Sequence, residues 1–392
     1  MKILVSLISS AVLAATAFAL PQQKAKITVS GYNWENAGEL ENFPVLVRIS
    51  EARISGFYYD SCKEGGADIS FALEDGTLLP HEIDTWNKSG ESLVWVKVPK
   101  LVKDTTSFYL RWNDSAPPQN TPKDVWSSNY IGVWHMNSFN ANNAVPDATG
   151  NGYDAALRGE GEITEAAAKI GAAFKNGDNL DDNNAAIPGG LRVEDYESKF
   201  SGSGTAFSCS AWVYLPTAVA TANHTLFDKK MSTGEAYNAE KGWWIHAWGQ
   251  NSRNLKALRF FAQGGNLGCT WDILDESEKY ARITKQWMHV YFTRSGGVYR
   301  FWVDGVERGD RNYKYNQPFV AGGKPLVLMS SKYGFMDECR LRNGGTSDDW
   351  IKAEYQTMAD EAFLTYEGAE ANGGNDNVLI VAGSPNTFGS PT

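Results

Sequence analysis

The sequence predicts an all-β protein built from two β-sandwich modules, with one short helix near the C-terminus. Its 392 residues include 38 Gly, 14 Trp, 17 Tyr and 18 Phe. Glycine forms tight turns, and aromatic rings pack well on pleated sheets. Short apolar stretches recur about 8–12 residues apart, separated by turn residues, which is typical of sandwiches. The formal net charge of −10 argues against nucleic acid and anionic lipid as partners.

The N-terminus has the pattern of an export signal. Lys2 precedes an apolar run over residues 3–15, and Ala17-Phe18-Ala19 is a small-residue cleavage site. We therefore predict a signal peptide at residues 1–19, and a secreted or cell-surface product with no stable membrane insertion. Export permits disulfides, but the sequence leaves the pairing open among Cys62, Cys209, Cys269 and Cys339.

Two modules and a tail follow this signal. The first, residues 24–128, is predicted from short strands that include residues 43–49 and 93–98, and it ends in a Pro-rich break. The second, residues 129–367, contains an alternating strand at 207–213 and an Asp304-Gly305 hairpin turn. Ser347 is a suitable N-cap for a helix over 348–358. Residues 368–392 are predicted to be a flexible tail.

Four pieces of the second module carry a family resemblance: PDATGNG at 146–152, FSCSAWV at 207–213, FWVDG at 301–305 and GFMDECRL at 334–341. In this order they resemble a laminin-G-like domain of the concanavalin A-like superfamily, which implies a jelly-roll sandwich. The first module resembles an uncharacterised bacterial secreted domain, through NFPVLV at 42–47, LPHEI at 79–83 and YIGVWH at 130–135. The pairing implies a secreted or cell-surface accessory protein, for which the family offers no established reaction.

The loop at 147–152 is the candidate for a bound cation. Calcium prefers carboxylate, amide and backbone oxygens on a turn, and this loop supplies those groups. The resemblance suggests Asp147, Asn151 and Asp337 as calcium ligands. The alternative is an Asx turn that stabilises the loop without a metal.

The aromatic strand at 243–248 is the candidate for ligand binding. Trp244, His246 and Trp248 alternate with Trp243, Ile245 and Ala247. We assign the second set to the core and predict that the first set, joined by Trp302, forms an exposed platform that stacks on sugar rings. The alternative is that these rings pack under loops or against the other module.

Catalytic motifs are incomplete. Retaining endo-glucanases of related fold carry E-x-D-x-x-E on one strand, and the nearest match here is Glu82, Asp84 and then Asn87. Since the last carboxyl is missing, we expect Glu82 and Asp84 to be solvated at a strand edge, and His135 to be a hydrogen-bonded structural residue. The predicted function is a non-enzymatic protein that binds a glycan or an extracellular protein. A structural or adhesion module and a glycoside hydrolase-like enzyme remain the alternatives. The sequence does not indicate the oligomeric state.

Overall fold

The computed structural model describes most of the chain outside the predicted N-terminal signal peptide and the predicted C-terminal tail. The described residues are 22–126, 129–177, 189–195, 199–201, 206–215, 224–231, 241–249, 255–262, 267–272, 286–312, 324–330 and 334–371. The predicted signal peptide, and the predicted tail beyond residue 371, lie outside them. From here on, "first module" means residues 22–126 and "second module" means residues 129–343; the modules predicted from the sequence were residues 24–128 and 129–367.

The strands of the first module are β1 (Gln23–Thr28), β2 (Leu40–Ile49), β3 (Ser70–Ala72), β4 (Leu78–Leu79), β5 (His81–Thr85), β6 (Ser92–Leu101) and β7 (Ser107–Trp112). They form two antiparallel sheets. One has the order β2-β6-β5, and the other contains β1-β7-β3-β4. Apolar side chains of both sheets meet in one buried cluster, among them Val45, Val96 and Phe108.

The strands of the second module are β8 (Tyr130–Trp134), β9 (Ala144–Val145), β10 (Ala155–Leu157), β11 (Glu162–Thr164), β12 (Ala173–Asn176), β13 (Leu191–Val193), β14 (Phe207–Tyr214), β15 (His224–Met231), β16 (Lys241–Gly249), β17 (Leu255–Ala262), β18 (Leu267–Asp272), β19 (Trp287–Ser295), β20 (Val298–Val303), β21 (Val306–Asn312), β22 (Leu326–Leu328) and β23 (Gly334–Asn343). They form two eight-stranded antiparallel sheets. The order of the first is β18-β17-β16-β15-β22-β13-β10-β9, and that of the second is β11-β12-β23-β14-β19-β20-β21, with β8 beside β23.

The core of the second module lies between these two sheets. Cys209 and Val213 of β14 are buried there together with Trp243 and Ile245 of β16. The alternation that predicted the strand at 207–213 therefore sorts its side chains as expected. The Asp304-Gly305 turn is confirmed as well, because both residues have positive φ angles, 52° and 70°, between β20 and β21. The all-β sandwich prediction is confirmed.

One α-helix and two short strands complete the described chain. The helix α1 spans Asp348–Ala359, and the Ser347 hydroxyl accepts a hydrogen bond from the Trp350 backbone N–H, as predicted. The strands β24 (Thr365–Tyr366) and β25 (Glu370–Ala371) both pair with β1. The chain thus returns to the sheet of the first module after the second module is complete. Short 3-10 helices lie at Tyr59–Ser61, Glu64–Gly66, Pro122–Val125, Lys199–Ser201 and Glu361–Phe363.

The two modules pack against each other through the outer face of the three-stranded sheet. Leu46 and Trp95 point away from the first module's own sandwich and share a buried cluster with Trp212 of β14 and Met358 of α1. The Leu46 backbone N–H also donates to the Thr357 hydroxyl at 2.9 Å. This contact brings β5 close to β23, where polar residues of both modules meet.

The structure bears on the cysteine pairing and on membrane insertion. The thiols of Cys62, Cys209 and Cys339 are free, and the side chain of Cys269 lies outside the described residues. No helix in the described part of the chain is both long enough and apolar enough to span a bilayer.

Candidate functional site

The edge strand β5 carries two carboxylates. The strand has a β-bulge between Ile83 and Thr85, and both carboxylates reach the second module, Glu82 at His135 and Asp84 at Asn137. Glu82 accepts a hydrogen bond from the Trp126 indole N–H at 2.6 Å, and Asp84 accepts one from the Asn137 amide at 2.7 Å. The expectation that these carboxylates are solvated at a strand edge is wrong, because the second module covers them and only 19 % of the Glu82 side chain is exposed.

A β-bulge in β23 supplies two more carboxylates. Glu338 has a φ of +47°, and both Met336 and Cys339 point into the sandwich core. The two residues between them, Asp337 and Glu338, therefore both lie on the outer face, where regular alternation would allow only one. Bulges re-aim side chains in this way. Both carboxylates are fully buried beneath the first module.

His135 bridges the carboxylates of the two modules. It directly follows β8, and its Nδ1 lies 2.9 Å from Oε1 of Glu338, while its Nε2 lies 3.3 Å from Oε2 of Glu82. Burial alone would lower the pKa of His135, but the charges of the two glutamates outweigh it and raise that pKa well above its usual value. The prediction of a hydrogen-bonded histidine agrees with these contacts.

Arg340 supports the other side of Glu338. Its Nη2 donates to Oε2 of Glu338 at 2.8 Å, and its Nη1 lies 3.5 Å from Oε1 of Glu354 on α1. Burial raises the pKa of Glu338, but His135 and Arg340 together hold it below the usual value. Glu338 is therefore an ionised group buried between two cationic side chains.

Asp337 is held differently. Its Oδ2 accepts hydrogen bonds from the backbone N–H groups of Lys169 and Ile170, at 3.1 and 2.7 Å, while its Oδ1 is buried without a hydrogen-bond partner. Burial, reinforced by the charge of Glu338, raises the pKa of Asp337 well above its usual value. Burial also raises the pKa of Asp84, to about 6.

A groove of about 750 Å³ opens above Asp84, between the modules. The side chains around it are mostly polar and come from both modules. They are Arg48, Asp84, Thr85, Trp86, Asn87, Glu91, Leu93, Asn137, Ser138, Glu165, Lys169, Ile170, Gly171, Ala172 and Glu361. Beneath it, ligand-type atoms of Asp84, His135 and Glu338 lie within 4.8 Å of one another.

The predicted aromatic platform is not formed. Trp244, His246 and Trp302 are 2 %, 4 % and 3 % exposed, so a sugar cannot stack on either tryptophan ring. Trp302 and Tyr291 pack against Ile351 of α1. The alternation of residues along a strand does not show where this helix packs, so the burial of Trp302 was not predicted. The side chain of Trp248 lies outside the described residues. The opposite set, Trp243, Ile245 and Ala247, lies in the core as predicted.

The predicted calcium ligands are placed in two environments. Asp147 accepts hydrogen bonds on both oxygens, including those from the backbone N–H groups of Val133, Thr149 and Tyr153. Asn151 donates its amide to the Ile131 carbonyl at 3.0 Å. These contacts form a hydrogen-bonded turn of the kind considered as the alternative to a metal. Asp337 lies in the bulge beneath the first module, and calcium binding stays a prediction.

Sequence reasoning missed Glu338 and gave His135 only a structural role. The signal for Glu338 was the adjacent pair Asp337-Glu338 between the apolar residues Met336 and Cys339 of one strand. Regular alternation would bury one of these charges in the sandwich core, at high cost, and a bulge avoids it. His135 gave no such signal, because its partners are 53 and 203 residues away in the sequence.

Comparison with known proteins supports the fold of the second module. Residues 189–352 match the family model described as the concanavalin A-like lectin/glucanases superfamily. A concanavalin A-like domain therefore lies in the C-terminal part of the chain, as the sequence predicted. The chain matches none of the curated proteins.

Solved structures similar to this chain include bacterial toxin binding domains. One is the binding domain of botulinum neurotoxin DC in complex with rat synaptotagmin II, at 15 % identity and a TM-score of 0.45, covering 61 % of this chain and 53 % of that one. Another is the binding domain of Paraclostridial Mosquitocidal Protein 1, at 12 % identity and a TM-score of 0.44, covering 60 % and 53 %. The chain spans about half the length of these structures. At this level of similarity the likeness is too distant to carry a function across.

Proposed function

We propose that this protein is a secreted or cell-surface, non-enzymatic binding protein that recognises a neutral glycan in the groove between its modules. The observation that carries the proposal is the polar lining of that groove, which comes from both modules. The match of the second module to a superfamily described by its lectins and glucanases agrees with a carbohydrate ligand.

The groove offers the groups that sugars need. Asn87, Asn137 and Ser138 provide amides and a hydroxyl for the vicinal hydroxyls of a sugar ring. Trp86 adds an aromatic ring at the wall. That ring is braced against Gly66, where an added Cβ would lie 2.7 Å from it, and stands edge-on to Tyr59 at 5.2 Å. A braced ring loses little conformational entropy when it binds a ligand.

The charge of the groove disfavours an acidic ligand. Four carboxylates line it, from Asp84, Glu91, Glu165 and Glu361, against the two cations Arg48 and Lys169. Arg48 lies 3.7 Å from a Glu91 carboxylate oxygen, so part of the positive charge is already paired. We therefore infer an uncharged sugar.

Two further observations favour glycan binding over its alternatives. The exposed large hydrophobic residues in the described part of the chain are Tyr58, Leu78 and Val306, too few for the broad apolar patch of a protein interface. The second observation argues against a glycoside hydrolase. The carboxyls of Asp84 and Glu338 are as close together as the two catalytic carboxyls of a retaining glycosidase. Glu338 is fully buried, however, and a nucleophile has to touch the sugar.

Glycan-array screening of the mature chain, followed by calorimetric titration of the strongest ligand, tests the proposal. We expect Trp86→Ala and Asn137→Ala each to weaken binding at least tenfold, because each removes a group from the groove wall. Tyr58→Ala, which removes an aromatic ring that is 61 % exposed and does not line the groove, serves as the control. Unchanged affinity in both groove variants would contradict the proposal.

A further inference from the structure

The carboxylates beneath the groove outnumber the cations that face them. Glu82, Asp84, Asp337 and Glu338 converge there from the two modules, and the described ion pairs supply His135 and Arg340 as their cationic partners. Arg340 is also shared with Glu354. Buried carboxylates in excess of their counter-charges are costly unless a proton or a further cation neutralises them.

Asp337 provides an independent sign that a ligand is expected. It is fully buried, and its Oδ1 has no hydrogen-bond partner although its Oδ2 accepts two backbone N–H groups. The bulge at Glu338 turns this carboxylate to the same outer face as Glu338 itself. A buried carboxylate oxygen without a partner, beside other carboxylates, favours a cation in its neighbourhood.

We propose that Asp84, His135 and Glu338 bind one divalent transition-metal ion, with Zn²⁺ as its representative. One ligand-type atom from each of these three residues lies within 4.8 Å of the others, so side-chain shifts of a few tenths of an ångström bring them to the roughly 4.4 Å or less that two bonds of about 2.2 Å span. The site goes beyond glycan binding, and it is separate from the calcium loop around Asp147.

The mixed set of ligands selects the class of metal. Imidazole nitrogen together with carboxylate oxygen suits Zn²⁺ and related transition metals, whereas Ca²⁺ prefers oxygen alone and Cu(I) prefers sulfur. The neighbouring Cys339 does not take part, because its side chain lies in the sandwich core.

The groups that would orient the histidine ligand are already in place. When Nδ1 of His135 coordinates the ion beside Glu338, one imidazole proton leaves to solvent and Nε2–H continues to donate to Glu82. Glu82 is itself held by the Trp126 indole N–H at 2.6 Å. A carboxylate behind a metal-bound histidine fixes the orientation of the ring and strengthens its metal bond. Asp84 lines the groove and gives the ion its route from solvent.

Titration of the chelator-treated full chain with ZnCl₂ tests the site. We expect one ion per chain by calorimetry and a rise in melting temperature of several degrees. Asp84→Asn keeps an oxygen for the Asn137 contact but loses the charge, and it should weaken Zn²⁺ binding at least tenfold. His81→Gln, in a buried histidine outside the cluster, and Cys62→Ser, in a half-buried free thiol, are the matched controls and should bind as the wild type does.

Cobalt substitution gives a spectroscopic readout of the metal ligands in the wild-type chain itself. Co²⁺ bound to the wild-type chain should show visible d–d absorption of a site with nitrogen and oxygen ligands, and His135→Gln should change or abolish it. No Zn²⁺ binding, or binding that Asp84→Asn and His135→Gln leave intact, would overturn the proposal and leave His135 as an imidazolium between two glutamates. All these measurements are made without glycan, so the glycan proposal can fail or hold separately.

Discussion

The guanidinium carbon of Arg340 lies 4.4 Å from the centroid of the Trp95 ring, and this contact joins the two modules. Arg340 extends from β23 of the second module, and Trp95 from the outer face of the first module's three-stranded sheet. The Trp126 ring lies 5.1 Å from the same guanidinium. The cation that pairs with Glu338 and Glu354 is thereby enclosed by aromatic rings of the other module.

Replacing Arg340 with Met is expected to destabilise the protein by about 3–5 kcal/mol, because Glu338 and Glu354 would remain buried without their cation. Denaturant unfolding of both proteins measures the difference. Lys100→Met removes a cation from an exposed pair with Glu39 and should change stability little. An Arg340→Met protein as stable as the wild type would show that the buried charges are compensated in another way.

Gly66→Ala is expected to weaken glycan binding as well as stability. Gly66 has a φ of +71°, and an added Cβ would press on the Trp86 ring. Gly65→Ala is the matched control, because Gly65 has a similar φ of +65° but no atom within 4 Å of the added Cβ. Both changes should cost about 1 kcal/mol in backbone strain, and only Gly66→Ala should displace Trp86 and lower affinity. Equal glycan affinities would argue that Trp86 does not contact the ligand.

The contribution of His81 to stability should fall as the pH drops from about 6.5 to about 4, while Asp84, whose pKa is raised to about 6, acts in the opposite direction. Burial lowers the pKa of His81 to about 4, so the unfolded chain binds a proton across this range that the folded chain does not. The contribution is on the order of 3 kcal/mol, fully present above pH 6.5 and lost on acidification. His81→Phe should remove this contribution, so that the variant loses less stability than the wild type on acidification, measured by urea unfolding between pH 4 and 7. An unchanged slope in the variant would assign the acid sensitivity to other groups.

Asp147→Ala is expected to destabilise the second module even in the presence of a chelator. The carboxylate accepts hydrogen bonds from three backbone N–H groups, and losing it should cost about 2–4 kcal/mol. Comparing melting temperatures with EDTA and with millimolar CaCl₂ separates this turn from the predicted calcium site. Calcium that raises the melting temperature of the wild type, but not of the variant, would support calcium binding at this loop.

Local patterns in the sequence were sufficient to predict the elements of the fold. The alternation in β14, the Asp304-Gly305 turn and the Ser347 cap each depend on residues next to one another in the chain. Their physical causes are side-chain alternation, allowed φ angles and one short hydrogen bond, and all of these act within a few residues. The concanavalin A-like domain was recognised from motifs of the same local kind.

The site was decided by the packing of the two modules. His135 meets Glu82 and Glu338 only because the three-stranded sheet lies across β23, and the two carboxylates share a face only because of the bulge at Glu338. The burial of a side chain depends on which element covers its face of the strand as well as on the alternation of side chains. Trp302 is buried for this reason, because α1 covers its face. The sequence by itself determined which side chains share a face of each regularly alternating strand. The tertiary structure alone decided which faces are covered and which charges are brought together, because these depend on contacts between distant parts of the chain.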